Sequence, residues 1–238
     1  MSMETQFRYE REMFPALGSA LHDAIFSRGR KALELLEPSI CGVIPDILYC
    51  HWRTLPQVKI KRPATIIDAH ILSVLDERGR CNLIDLCGAL YLSESKASES
   101  LSRLVRQGQI VAKHGGYYVL AKNASARQAT LVAVEMKMSR WREALDQAQS
   151  YLKFANLSFV VLDGSQVEAS QQIESAFADA GVGLLLQHGT SLRLHVGAKS
   201  FKYNPTPERF IAMHKASLLL DQSFEYPRHF LNAFSQTC

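Results

Sequence analysis

At 238 residues, with 47% hydrophobic and 21% charged side chains, the chain can bury a sizeable core and has an ordinary globular composition. Five cysteines, Cys41, Cys50, Cys81, Cys87 and Cys238, form no CxxC pair and are odd in number, which argues against a disulfide framework or thiolate zinc site and for a reducing cytoplasm. A formal net charge of +4 suits a polyanion-binding surface without demanding one, and neither a secretion signal nor a run of roughly 18 apolar residues is present, so no membrane association is expected.

From about Arg8 to Leu36 the residues Met13, Phe14, Leu17, Leu21, Ile25, Leu33 and Leu36 recur at helical spacing, which predicts one or two helices broken near residues 27–30. Pro38 stops the helix, and Ser39–Trp52, rich in β-branched and apolar residues, predicts a strand holding Pro45 and Asp46. The basic, proline-containing Lys59–Pro63 reads as a linker.

Residues 64–120 then read as a self-contained module. A helix runs from Ile66 to near Gly79, a second covers Leu83–Leu90, a third covers Ser93–Gln107, and a hairpin follows with Gly115 and Gly116 at its tip. Three helices and a hairpin in this order resemble the winged helix-turn-helix of bacterial regulators. Beyond the module, Ala129–Lys137 predicts a strand, Ser139–Phe154 a helix and Ser158–Leu162 a strand. Val167–Ala180 predicts a helix ending at Gly181, Val182–Gln187 a strand, Ser191–Val196 its partner, and Glu208–Phe234 a helical segment broken near Pro227.

An acid and a lysine two residues apart on a strand share a face, so Glu135 and Lys137 converge on a volume able to hold a metal ion and a water. Gln147 and Tyr151, four apart on the following helix, share a face as well. With the module set aside, the order is helix, strand with Pro45-Asp46, strand with Glu135-Met136-Lys137, helix, strand, helix, strand. That order resembles the PD-(D/E)xK nuclease superfamily. The implied fold is α/β and restriction-endonuclease-like, a mixed central sheet flanked by helices, with an inserted winged helix-turn-helix.

The resemblance implies a metal-dependent nuclease that hydrolyses DNA phosphodiester bonds, with RNA left open as a substrate. Asp46 and Glu135 would ligate Mg²⁺, with Mn²⁺ as an alternative, and Lys137 would orient the attacking water. Gln147 and Tyr151 resemble the QxxxY motif of RecB-like members, and Glu10 resembles the acid many members carry on the first helix. Glu12 is the alternative for that role, because residues two apart on a helix point in different directions. The chemistry suits these residue types: a hard divalent cation held by carboxylates supplies a nucleophile at neutral pH and relieves charge on the phosphate.

The same resemblance divides the chain into residues 1–61 and 122–204 as two parts of one nuclease domain, 62–121 as the inserted module and 205–238 as a C-terminal helical segment. Insertion at a hairpin tip reconciles the distance between Asp46 and Glu135, since loop tips tolerate insertions best. Lys96, Arg103 and Arg106 on the third helix and Lys113 on the wing are the candidate DNA contacts, while Glu94 and Glu99 count against a strongly basic face. His51, His188 and His195 fall at no ligand spacing, and Asp163 suits a turn cap. Double-strand cleavage from single active sites would call for a homodimer. The alternative function is a non-catalytic DNA-binding or transcriptional regulatory protein on a nuclease-like scaffold.

Overall fold

The structure, a computed structural model, describes residues 7–17, 20–26, 32–52, 65–122, 124–201 and 203–225, the side chains of 220–225 excepted. The linker reading at Lys59–Pro63, the helix break at 27–30, the domain boundary at 61/62 and the break at Pro227 lie outside the described residues.

A six-stranded mixed sheet organises the larger part of the chain, in the order β1 (Leu33–Leu36), β2 (Ile47–Trp52), β6 (Ala129–Lys137), β7 (Leu157–Asp163), β8 (Gly183–His188), β9 (Ser191–Val196). The β6/β7 and β7/β8 pairs are parallel, and the remaining pairs are antiparallel. The two parallel connections carry α6 (Trp141–Tyr151) and α7 (Gln171–Ala180), as parallel strands require. Side chains alternate between two cores. Val132, Val134 and Met136 of β6 pack with Ile47 and Tyr49 against α1 (Met13–Leu17) and α2 (Ala20–Ile25). Leu131 and Ala133 pack with Leu48, Cys50 and Trp52 on the opposite face.

Between Trp52 and Ala129, which face each other at the end of the β2/β6 ladder, the chain leaves the sheet and returns. Within this excursion stand α3 (Ile66–Arg78), β3 (Cys81–Asn82), α4 (Leu83–Leu90), α5 (Glu94–Arg106) and the hairpin β4 (Ile110–Lys113) and β5 (Tyr117–Leu120), with β3 joining as a third strand. Thr65 and Asn82 open α3 and α4 with reciprocal capping boxes to Asp68 and Asp85. Gly115 and Gly116 supply the positive φ angles, 81° and 75°, of the hairpin tip.

Two expectations are corrected at the N-terminal side. Leu33–Leu36 is a strand paired with β2, and the helical spacing of Leu33 and Leu36 is coincidental: Leu35 is buried and Leu36 is half exposed, as alternation on a strand dictates. The strand expected over Ser39–Trp52 begins at Ile47, because Ile40 and Val43 exchange backbone hydrogen bonds around Cys41 and Gly42, both at positive φ. That is the geometry of a tight two-residue hairpin turn. Asp46 therefore stands at the entry of β2.

The excursion is also less self-contained than its sequence implies. One continuous core contains Ile71, Leu72 and Leu75 of α3, Leu48 and Cys50 of β2, Phe154 after α6, and Phe210 and Met213 of α8 (Pro207–Glu225). Asp76 of α3 accepts hydrogen bonds from Ser125 Oγ, the Ala126 amide and the Tyr203 hydroxyl.

Arg209 ties α8 into this junction. Its fully buried guanidinium donates to the carbonyls of Ala126 (3.2 Å), Phe154 (2.7 Å) and Ala129 (2.5 Å) and to Asn156 Oδ1 (2.9 Å). Asn156 Oδ1 accepts in turn from the Leu131 amide on β6. Neutralising Arg209 leaves several buried acceptors unpaired, so Arg209→Met should destabilise the fold by about 3–5 kcal/mol in urea denaturation. Arg209→Lys should recover only part of this, because a point cation cannot reproduce the planar fork.

Candidate active site

β2 and β6 pair with Ile47 opposite Val134, so one further step of the register sets Asp46 against Glu135. Both residues project to the same side of the sheet as Leu48 and Ala133. Asp46 Oδ2 accepts a 2.6 Å hydrogen bond from the Met136 amide, which fixes it between the two charged residues of the strand. Residues ninety positions apart in sequence are thereby held together.

Glu135 is buried, and both of its carboxylate oxygens are engaged. Lys137 Nζ donates to Oε1 at 2.8 Å, and the Tyr151 hydroxyl donates to Oε2 at 2.6 Å. Tyr151 reaches Glu135 from the end of α6, where Ala144, Ala148 and Tyr151 form the buried face. Gln147 lies one turn earlier on the same helix, and its Oε1 is buried without a hydrogen-bond partner among the described residues. Glu10 approaches from the 3-10 turn Glu10–Glu12, with Oε2 3.5 Å from Lys137 Nζ and Oε1 3.9 Å from the Arg140 guanidinium. Glu12 instead accepts from the Arg8 amide, so of the two N-terminal acids it is Glu10 that meets Lys137.

The electrostatics follow from this crowding. Burial, then the charge of Glu135, pushes the Asp46 carboxyl up to about 6, against the opposing pull of the Met136 amide and Lys137. Burial opposes the Lys137 ammonium, but its hydrogen bond to Glu135 and the charges of Glu135, Glu10 and Asp46 win, and its pKa is raised. Lys137 is thus a fixed cation rather than a base. Burial and the Glu135 carboxylate raise the Tyr151 phenol, so it stays a hydrogen-bond donor.

The donor set suits a hard divalent cation in its chemistry. Mg²⁺ commonly takes one or two carboxylates and fills its other positions with water and substrate phosphate. Asp46 and Glu135 supply those two, and no group of three or more His, Cys, Asp or Glu residues able to hold a metal occurs among the described residues. Binding there requires Glu135 to exchange Lys137 or Tyr151 for the ion. The histidines stand apart from these groups: His195 pairs with Glu174 at 3.0 Å, and the His188 ring lies against Gly164. Asp163 caps the turn after β7 by accepting from the Ser165 amide and hydroxyl.

On the excursion, Ser93 caps α5, and Lys96 and Arg106 are exposed along it, with Lys113 exposed on β4. Arg103 departs from the expectation of a free phosphate ligand. Its guanidinium grips Asp68 through Nε (3.0 Å) and Nη2 (2.7 Å) and also bonds Ser100. Asp68 is buried at 1% exposure and needs a cation, so Arg103 clamps α5 to α3. Residues 65–111 match the family described as Winged helix-turn-helix DNA-binding. The chain therefore carries a winged helix of a DNA-binding family over less than half its length.

No curated protein matches the chain. A protein of unknown function from Silicibacter pomeroyi is similar over 53% of this chain and 87% of its own, at 18% identity and a TM-score of 0.28, a likeness too slight to carry an argument. No helix among the described residues is long and apolar enough to cross a membrane. Sequence reasoning did not single out Arg140, whose place at the rim beside Glu10 has no spacing signature, whereas the spacing of Tyr151 from Gln147 did mark the residue whose hydroxyl reaches Glu135.

The raised Asp46 pKa has a consequence for stability. The folded state holds this proton more tightly than the unfolded chain, so the fold loses stability as pH rises from about 4 through about 6, and above that range the ionised carboxylate is a standing cost. Asp46→Asn can still accept from the Met136 amide while removing the charge. Without divalent ions it should stabilise the protein by about 1–3 kcal/mol at pH 7.5 and have little effect at pH 4. Thermal melts at the two pH values check this.

Proposed function

We propose that the chain is a metal-dependent nuclease of the PD-(D/E)xK type, built on a restriction-endonuclease-like sheet, whose winged helix helps to hold DNA at the cleavage site. The observation that carries this reading is the hydrogen bond from the Met136 amide to Asp46, which sets Asp46 beside Glu135 and Lys137 with Glu10 at the edge. The order of strands and helices supports it: the excursion interrupts the β2/β6 pair where Trp52 faces Ala129, so its removal leaves an uninterrupted hairpin of Asp46 and Glu135-Met136-Lys137.

In this reading Asp46 and Glu135 hold Mg²⁺, or Mn²⁺ in its place. When bound, the ion acidifies an attacking water and offsets charge on the phosphate. Lys137, kept protonated by three acids, orients the water and stabilises the added negative charge as the water oxygen bonds to phosphorus and the ester oxygen departs. Glu10 steadies Lys137 from the solvent side. Gln147, with a buried acceptor lacking a partner, can receive a hydrogen bond from water or substrate. Lys96, Arg106 and Lys113 would meet phosphates, and Arg103 would act by holding α5 in place.

A second reading, a DNA-binding regulator on a catalytically silent scaffold, is favoured by one observation. Glu135 is fully satisfied by Lys137 and Tyr151, so the network is complete without an ion. Incubation of the full chain with linear, nicked and supercoiled DNA in Mg²⁺ or Mn²⁺ separates the two. The nuclease reading expects cleavage that EDTA abolishes and that Glu135→Ala and Lys137→Ala each reduce by at least about 10³-fold. Absence of ion-dependent cleavage of any DNA or RNA form would overturn the nuclease reading.

A further inference from the structure

Tyr91 closes α4 in the left-handed region, with φ 53° and ψ 40°, its amide bonded to the Cys87 carbonyl. The Leu92 amide bonds the same carbonyl at 3.1 Å, completing a tight helix stop. Such a position favours glycine or asparagine, and a bulky side chain there is strained. The ring recovers none of this cost by packing, because Tyr91 is 96% exposed, more than any other large apolar residue described. Strain and exposure of an aromatic at one residue are both unexplained by folding.

The place of Tyr91 supplies the explanation. It stands in the turn between the second and third helices of the winged helix, two residues before Ser93, the cap of α5. Ser95 and Lys96 follow at once, both exposed, in the first turn of the helix that enters the groove in folds of this kind. Glu94, exposed three residues on, would repel phosphate, so an uncharged anchor with a hydroxyl donor suits this spot better than an unpaired acid or an apolar tip.

We infer that Tyr91 is a DNA-backbone anchor: its hydroxyl donates to a phosphate oxygen and its ring lies against the adjoining deoxyribose, setting the register of α5 on the duplex. The left-handed backbone at the turn projects the ring outward ahead of the helix, where a right-handed residue would continue α4. This anchor concerns binding alone and stands whether or not the chain cuts DNA. A phosphate contact carries no sequence information, so its loss weakens binding to all duplexes alike.

The test uses the full chain with Tyr91→Phe and Tyr91→Asn, fluorescence anisotropy on two 25-base-pair duplexes of unrelated sequence in EDTA, and thermal melts. Asparagine suits the left-handed backbone, so Tyr91→Asn should melt at or up to about 2–4 °C above wild type while binding both duplexes roughly tenfold or more weakly. Tyr91→Phe, which keeps the ring and loses the donor, should weaken both by about threefold or more. Tyr91→Asn binding within twofold of wild type overturns the inference, as does a loss confined to one duplex. Sedimentation showing a wild-type dimer that Tyr91→Asn dissolves, with DNA affinity unchanged, also overturns it and assigns the ring to a second copy of the chain.

Discussion

Ile47 faces Val134 across the β2/β6 ladder, and the candidate site exists only in that register. A slip of one residue would carry Asp46 to the other face of the sheet, into the core made with α1 and α2, and would bury its carboxylate among Val132, Val134 and Met136. Apolar alternation on both strands forbids the slip, because Leu48, Cys50 and Trp52 would leave their own core at the same time. The 2.6 Å bond from the Met136 amide to Asp46 then converts a packing register into a side-chain position. An ionisable constellation is thus held by hydrophobic pattern, and the burial that positions Asp46 is also what raises its pKa.

The winged helix sits at the far end of the same ladder. The chain departs after Trp52 and returns at Ala129, six ladder steps from the end where Asp46 meets Glu135, and α3 and α8 share a core with the sheet. Arg209 joins α8 to the returning segment and to the turn after α6 through four hydrogen bonds. This rigid root leaves α5 and the hairpin facing outward with Lys96, Arg106 and Lys113 exposed. Arg103 and Asp68 fix the pose of α5 on α3. Any nucleic acid held by α5 is therefore held in a set relation to the sheet rather than on a loose tether.

Much of the sheet was legible because its strands are strongly patterned. Glu135 and Lys137 stood out as charges within an apolar run, and Asp46 as an acid beside a proline ahead of another. Leu33–Leu36 was misread because four residues are too few for period two to be told from helical spacing, and only pairing with β2 decides between them. The clamp made by Arg103 was hidden because a basic residue on a presumed reading helix looks the same whether it faces phosphate or a buried acid such as Asp68. Arg209 and Tyr91 were not legible at all: one depends on carbonyls that two distant segments, Ala126 to Ala129 and Phe154, bring together, the other on a backbone angle.

Cleavage as proposed requires Asp46 and Glu135 to share one divalent cation. Titration of Mn²⁺ into the full chain at pH 7.5, followed by isothermal calorimetry, addresses this without reference to catalysis. Shared ligation requires one ion per chain, almost no proton release at this pH because Asp46 is already ionised, and loss of binding in both Asp46→Asn and Glu135→Gln. Absence of binding, or binding unchanged in the two variants, would contradict it.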